Sequence, residues 1–236
     1  MTAIAIVNEC EPYDLSRPDL QLDPASIARV AIALSTQICA HVVPSQPGGW
    51  GISPMGVYAA NGKTLESPSD WVLGLFSTAD QPGTLGYHDK TSSGQPVLKV
   101  FPSLDPKTPW SVTASHEVIE ALVDPECCLA AQGQDGAFWS LEVCDPVEND
   151  QYSIGSSDAS EVFVSNFCLP GWFTGIGPKF DYLGLCRSAL EIRQGGYAQR
   201  FSPGAGWLDV QSSSMRTYRK SIQGRRARRL ARSVGH

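Results

Sequence analysis

The segment from His116 to Glu120, with sequence HEVIE, carries the residue types of a metal-dependent hydrolase at the spacing of one helical turn. Residues four apart lie on one face of an α-helix, so His116 and Glu120 are able to bind one metal ion together. Glu117 lies beside them and is placed to act as general base on a metal-bound water. The pattern is that of the HExxH signature of zinc peptidases, with glutamate in place of the second histidine.

A third metal ligand is expected from the acidic residues that follow this helix. Catalytic zinc sites have three protein ligands and an open position for water. Glu142 is the first choice because its long side chain can reach back to the helix, and Asp145 is the alternative. Asp145 could instead orient His116 through the other ring nitrogen. Asp124 extends the ligand face by one further helical turn.

The local conformation of residues 141–145 bears on this choice. In an extended segment Glu142 and Asp145 point to opposite faces, so both acids bind one ion only if Pro146 bends the chain. One histidine and two carboxylates neutralise a divalent ion, so the bound water should be less acidic than in a histidine-rich site. Zn²⁺ is the expected metal, and the oxygen ligands extend the choice to Mn²⁺ or Ca²⁺.

Two non-catalytic alternatives fit the same residues. The first is a metal ion bound without catalysis, and the second is a carboxylate cluster that Arg187, Arg193 or backbone donors satisfy. Hydrogen-bonded carboxylate clusters of the second kind need no metal ion.

Hydrophobic periodicity predicts an α+β domain that positions the helix. Helical spacing covers residues 25–42, after an Asp23-Pro24 start, and residues 110–124, where Pro125 ends the helix. Short strand-like segments separated by turn residues predict a mixed or antiparallel sheet. They are 3–7, 56–60, 71–76, 84–88, 96–101, 137–143 and 162–167. Residues 168–207 are rich in glycine, proline and aromatic residues and are predicted to form irregular packed loops.

The charge of the chain is unevenly distributed. The 236 residues include 18 basic and 24 acidic side chains, and eight of the basic ones but none of the acidic ones lie in residues 215–236. Residues 1–214 therefore hold 10 basic and 24 acidic side chains, a charge of −14, and the tail carries +8. We expect one domain, residues 1–211, and a basic C-terminal tail, residues 212–236.

Composition excludes several classes of protein. Apolar residues make up 42% and charged residues 18%, which excludes a disordered chain. No apolar run reaches the roughly 18 residues that span a bilayer, and no signal peptide is visible, so we expect neither a membrane partner nor export. Seven cysteines without a CxxC pair predict reduced, mostly buried thiols and no structural zinc site.

Five segments, taken together and in order, resemble a family of bacterial and tailed-phage proteins that are similar to zincin-type metallopeptidases. They are 84–101, 110–125, 141–150, 162–173 and 180–201, and they hold the patterns SHEVxE…DP, EVCD…E, VSNF and GGY. The resemblance implies a zincin-like mixed sheet whose edge strand, near 84–88, lines the cleft. It also implies an active-site helix carrying HExxE and a loop-rich C-terminal part.

Carried over residue by residue, the resemblance implies His116 and Glu120 as metal ligands and Glu117 as the base, with Glu142 or Asp145 completing the shell. The expected function is that of a zinc-dependent peptidase acting on a protein or peptide. We expect the protein to be cytoplasmic or virion-associated.

A second hypothesis from the same resemblance is a catalytically silent zincin-like fold that serves as a structural or attachment protein of a phage virion. The tail, residues 215–236, would then contact nucleic acid or a neighbouring virion subunit through its positive charge. Its alternative role is that of a solvated chain end. His88 is a further candidate ligand or oxyanion stabiliser, although a strand-end pair with Asp89 is the preferred interpretation.

Overall fold

The computed structural model describes residues 2–10, 20, 22–44, 48–102, 107–155 and 161–212. These residues include nearly the whole of the predicted domain. The predicted basic tail lies outside them except for Ser212, so its two proposed roles stay predictions.

A five-stranded sheet forms the first half of the fold. Its strands are β1 (Ile4–Asn8), β2 (Val57–Ala59), β3 (Trp71–Leu75), β4 (Gly86–Lys90) and β5 (Pro96–Val100). The order is β2-β1-β3-β5-β4, in which β4 runs antiparallel to β5 and the other pairings are parallel. The predicted mixed sheet is therefore confirmed, and β4 lies at its edge.

Helix α1 (Pro24–Gln37) packs against this sheet. The Asp23 carboxylate caps it by accepting from the Ser26 backbone N–H at 3.0 Å, and proline occupies the first helical position. A π-helical turn, Ile38–Val42, continues the helix to the end of the predicted helical segment.

Pro24–Val42 also has the length and composition of a membrane span, with 19 residues and a mean hydropathy of 1.3. Half of this segment is buried within the protein, where Ile27, Val30 and Leu34 belong to the core beneath the sheet. Packing against the sheet therefore accounts for the apolar face of the helix.

Helix α2 (Trp110–Val123) is buried on almost every side, since 13 of its 14 residues are buried. It packs against β4 and β5 of the first sheet and against β9 (Val162–Ser165), which pairs with β8 (Gln151–Ile154). A helix that is covered all round has no solvent-exposed face for its polar residues. The histidine and glutamates of α2 are consequently held in the protein interior.

A second, antiparallel sheet has the order β11-β10-β7-β6. Its strands are β6 (Ala130–Gln132), β7 (Phe138–Ser140), β10 (Tyr197–Ser202) and β11 (Gly206–Gln211). The short helix α3 (Pro170–Thr174) lies nearby, and a second core forms around Phe167, Trp172 and Phe173.

The prediction of irregular structure throughout 168–207 is wrong for β10. This strand forms a hairpin with β11 across the turn at 203–205, and Gly204 and Gly206 both have positive φ. Glycine adopts such angles without steric cost, which allows the reversal. The observed elements otherwise confirm an α+β protein with several sheets and few helices.

Candidate metal centre

Helix α2 carries three titratable side chains within about one helical turn in the protein interior. His116 is 7% exposed, Glu117 is 1% exposed and Glu120 is fully buried. The short 3₁₀ turn Asp145–Val147 lies against this part of α2 and carries a fourth, Asp145. Buried charged groups are costly unless a partner or a metal ion compensates them.

The structure brings His116, Glu120 and Asp145 together as the first candidate ligand group, which we call the outer group. The His116 Nε2 atom lies 3.3 Å from Glu120 Oε1 and 3.2 Å from Asp145 Oδ1. Ligands of an ion with bonds of about 2.0–2.2 Å lie roughly 3–3.5 Å apart, so these distances fit one ion. The residue beside His116 is therefore Asp145, the alternative from the sequence, in place of Glu142, the first choice.

The bend at Pro146 is the reason for this replacement. Residues 145–147 form a 3₁₀ turn, so they do not continue the extended segment that the strict alternation argument assumes. The turn brings Asp145 to His116, while Glu142 lies next to a different histidine.

Two ligand atoms of the outer group show how well it suits a cation. Among the residues described, His116 Nε2 and Asp145 Oδ1 are buried and have no partner with hydrogen-bond geometry. Buried polar atoms are normally hydrogen-bonded, and an ion or water is a common explanation for exceptions. Nitrogen and oxygen donors that converge in this way fit a divalent metal ion.

A second candidate group, which we call the inner group, contains His88, Glu120 and Glu142. His88 Nδ1 lies 3.7 Å from Glu120 Oε2, and His88 Nε2 lies 3.9 Å from Glu142 Oε2. The preferred interpretation of His88 as the strand-end partner of Asp89 is wrong. Adjacent residues of a strand point to opposite faces, so His88 turns into the core while Asp89 turns outwards.

Charge interactions within the cluster shift the pKa values of its members. Burial raises the pKa of Glu120 to about 8, and the Asp145 and Glu142 carboxylates add to this rise while His116 opposes it. Burial alone would lower the pKa of His116, but Glu120 and Asp145 outweigh it and raise the pKa well above its usual value. The pKa of His88 is likewise raised, because Glu142 and Glu117 outweigh the effect of burial. Protons and a divalent cation therefore compete for these ligands.

Backbone groups fix the ligands in place. Glu120 Oε1 accepts a hydrogen bond from the Cys144 backbone N–H at 3.1 Å, and the Cys144 thiol donates to the His116 carbonyl at 3.7 Å. These two contacts tie α2 to the segment that carries Glu142 and Asp145. Such supporting contacts orient metal ligands in known sites.

The remaining predicted candidates have other partners. Asp124 ends α2, and its two carboxylate oxygens accept from the backbone N–H groups of Cys128 and Leu129, so it organises the following loop. Arg193 pairs with Asp150, and Arg187 is exposed. Within the residues that the structure describes, neither arginine forms an ion pair with a member of the two ligand groups.

Glu117 lines a small cleft of about 150 Å³ together with His116. Gly86, Thr113 and Glu148 form other parts of the cleft wall. Glu117 Oε2 also lies 3.3 Å from His88 Nδ1, so the histidine of the edge strand contacts the predicted base. Of the two glutamates of α2, Glu117 is the one that lines the cleft, and it lies next to His116 of the outer group.

Gly86 allows α2 to approach β4 closely. A Cβ atom at this position would lie 2.6 Å from Thr113 Cγ2, 3.0 Å from the Lys99 carbonyl oxygen and 3.1 Å from Glu117 Oε1. We therefore expect Gly86→Ala to force α2 away from the strand and to lower the free energy of unfolding by about 1–3 kcal/mol.

Urea unfolding of the purified variant measures this loss. Gly56→Ala is the matched control, because a Cβ atom there meets nothing within 4 Å. It should stay within about 0.5 kcal/mol of the wild type. Equal stability of both variants would contradict the close approach.

Comparisons with protein-family models, with curated proteins and with solved structures found no match to this chain. The resemblance to zincin-like phage and bacterial proteins consequently stays a prediction from the sequence motifs.

Proposed function

We propose that this protein is a metal-dependent hydrolase of the zincin-like type that acts on peptides. The observation that carries the proposal is the convergence of His116, Glu120 and Asp145 on one point beside a cleft that Glu117 also lines. Three ligands, together with a carboxylate base next to His116 on the same helix, are the parts of a hydrolytic metal site.

The position of β4 supports a peptide as the substrate. β4 is the edge strand of its sheet, and Gly86 at its start lines the same cleft as His116 and Glu117. Extended peptides add to the edges of sheets through main-chain hydrogen bonds. A helix bearing HExxE beside an antiparallel edge strand also agrees with the zincin resemblance.

The proposed reaction divides the work between the bound ion and the protein. A divalent ion held by the outer group, Zn²⁺ first and Mn²⁺ or Ca²⁺ as alternatives, would lower the pKa of water and polarise a peptide carbonyl. Glu117 accepts the proton of the attacking water and passes it to the departing amine. The His88 contact holds the Glu117 carboxylate beside α2 and limits its rotamers.

Metal-dependent cleavage of a peptide mixture tests the proposal. A tryptic digest of whole-cell protein is incubated with the Zn²⁺-loaded wild type, and new peptide termini are identified by mass spectrometry. We expect new termini from the loaded protein and none after chelation. Asp145→Asn should abolish them as well, since an amide replaces a charged ligand.

Asp89→Asn is the matched control, because Asp89 lies on β4 but faces away from the cluster. It should cleave as the wild type does. Absence of new termini from wild type that carries its metal would reject hydrolysis and favour the silent, structural alternative.

A further inference from the structure

We propose that the inner group holds a second divalent cation, so that Glu120 bridges two ions with its two carboxylate oxygens. This site extends the metal centre on which the proposed function rests. His88 and Glu142 supply the other two protein ligands of the inner ion.

The orientation of the Glu120 carboxylate is the first argument. Oε1 lies 3.3 Å from His116 Nε2 in the outer group, whereas Oε2 lies on the side of the His88 ring, 3.7 Å from its nearer nitrogen, while the other ring nitrogen, Nε2, faces Glu142. A carboxylate that presents one oxygen to each of two ligand groups has the geometry of a metal bridge. Hydrolytic two-metal sites hold their ions about 3.5–4 Å apart, a separation that one carboxylate spans.

The hydrogen bonding of Glu120 is the second argument. Oε1 already accepts from the Cys144 backbone N–H, but Oε2 is fully buried and has no hydrogen-bond partner among the described residues. An unsatisfied buried carboxylate oxygen costs free energy that a cation on the inner side would recover.

The charge of the cluster is the third argument. Apart from Asp124, whose oxygens accept from backbone N–H groups, four carboxylates are buried around the two groups, those of Glu117, Glu120, Glu142 and Asp145, so their full ionisation gives −4. No lysine or arginine is buried in the described part of the chain. When both histidines are neutral, as metal ligands must be, one divalent ion would leave −2, whereas two would balance the four carboxylates.

The contact between His88 and Glu117 gives the inner ion a role. Histidines that bind a metal through one ring nitrogen commonly donate from the other to a carboxylate. If the inner ion is bound by Nε2, then Nδ1–H donates to Glu117 Oε2, 3.3 Å away. The inner ion would thereby fix the tautomer of His88 and position Glu117 at the cleft.

Counting bound ions tests the second site. The purified full-length chain is equilibrated with excess Zn²⁺ or Mn²⁺, passed through a desalting column and analysed by plasma mass spectrometry. We expect two ions per chain in the wild type and one in Glu142→Gln, which keeps the shape of the side chain. Glu126→Gln, an exposed control on the loop after α2, should keep two.

Electron paramagnetic resonance of the Mn²⁺-loaded wild type gives a second readout that needs no variant. Two bridged Mn²⁺ ions are exchange-coupled, whereas a single ion gives an isolated six-line spectrum. One ion per chain with a six-line spectrum overturns the inner site, and so does a count of two that Glu142→Gln leaves unchanged. A single ion that is lost in Asp145→Asn would remove the inner site but leave the proposed hydrolase intact.

Discussion

Glu117→Gln should lower kcat/KM for peptide cleavage by about 100- to 10,000-fold while the protein keeps its bound metal. The amide has the shape of the carboxylate but cannot accept the proton of the attacking water. Glu117 lies next to His116 on α2 and borders the same cleft, but it belongs to neither ligand group. Removing its charge should therefore lower turnover far more than it weakens binding of the outer ion, and the glutamine oxygen can still accept from His88 Nδ1–H.

Steady-state cleavage of one peptide chosen from the digest measures the rate, and plasma mass spectrometry measures the metal content. Glu126→Gln serves as control, because this side chain is 66% exposed and pairs with Lys90 across 3.9 Å. A Glu117→Gln protein that cleaves within tenfold of the wild-type rate would show that another group is the base.

Glu120→Gln should remove both metal ions at once. Its carboxylate is shared by the outer and inner groups, and both of its oxygens face a histidine nitrogen. Loss of an outer-shell partner typically lowers metal affinity 10- to 100-fold, and loss of a direct ligand should exceed about 100-fold at each site. The glutamine oxygen can still accept from the Cys144 N–H, so the fold should survive.

The distinguishing result is a pattern across three variants. Glu142→Gln and Asp145→Asn should each leave one ion per chain, whereas Glu120→Gln should leave none. Titration of the metal-free proteins with Zn²⁺ in a calorimeter would give the number of sites and each affinity. An ion that Glu120→Gln retains with wild-type affinity would contradict the shared ligand.

Sequence reasoning works well for the helix and for the sheet that positions it. The HEVIE spacing predicts that His116 and Glu120 meet, because one helical turn fixes their distance whatever surrounds it. The five strands of the first sheet are each found near their predicted places. Each strand is a short apolar segment bounded by turn residues, and such local patterns can be recognised in a single sequence.

Long-range pairing is less accessible to such reasoning. The choice between Glu142 and Asp145 depended on a 3₁₀ turn at Pro146, whose direction no local pattern specifies. His88 lies 32 residues before Glu120, and its place in the cluster follows from the edge position of β4 in the sheet. Its alternation with the outward-facing Asp89 was the one available signal, and it predicts burial but not the partner.

The hairpin of β10 and β11 shows a different limit. Its buried and exposed residues do not alternate along β10, so the period of two is weak there. The turn residues Pro203 and Gly204 between two aromatic positions were the readable signal. Turn residues without an alternating pattern around them predict that the chain reverses direction. They do not predict how long the two strands are.

The burial of α2 on nearly every side has a consequence for the life of the protein in a cell. A cation bound there contacts groups that come together only in the native chain, so its binding free energy adds to the stability of the fold. At a free metal concentration of 100 times Kd this addition is about 2.7 kcal/mol. Scarcity of the metal would then act first on how long the protein survives proteolysis, and so on its abundance.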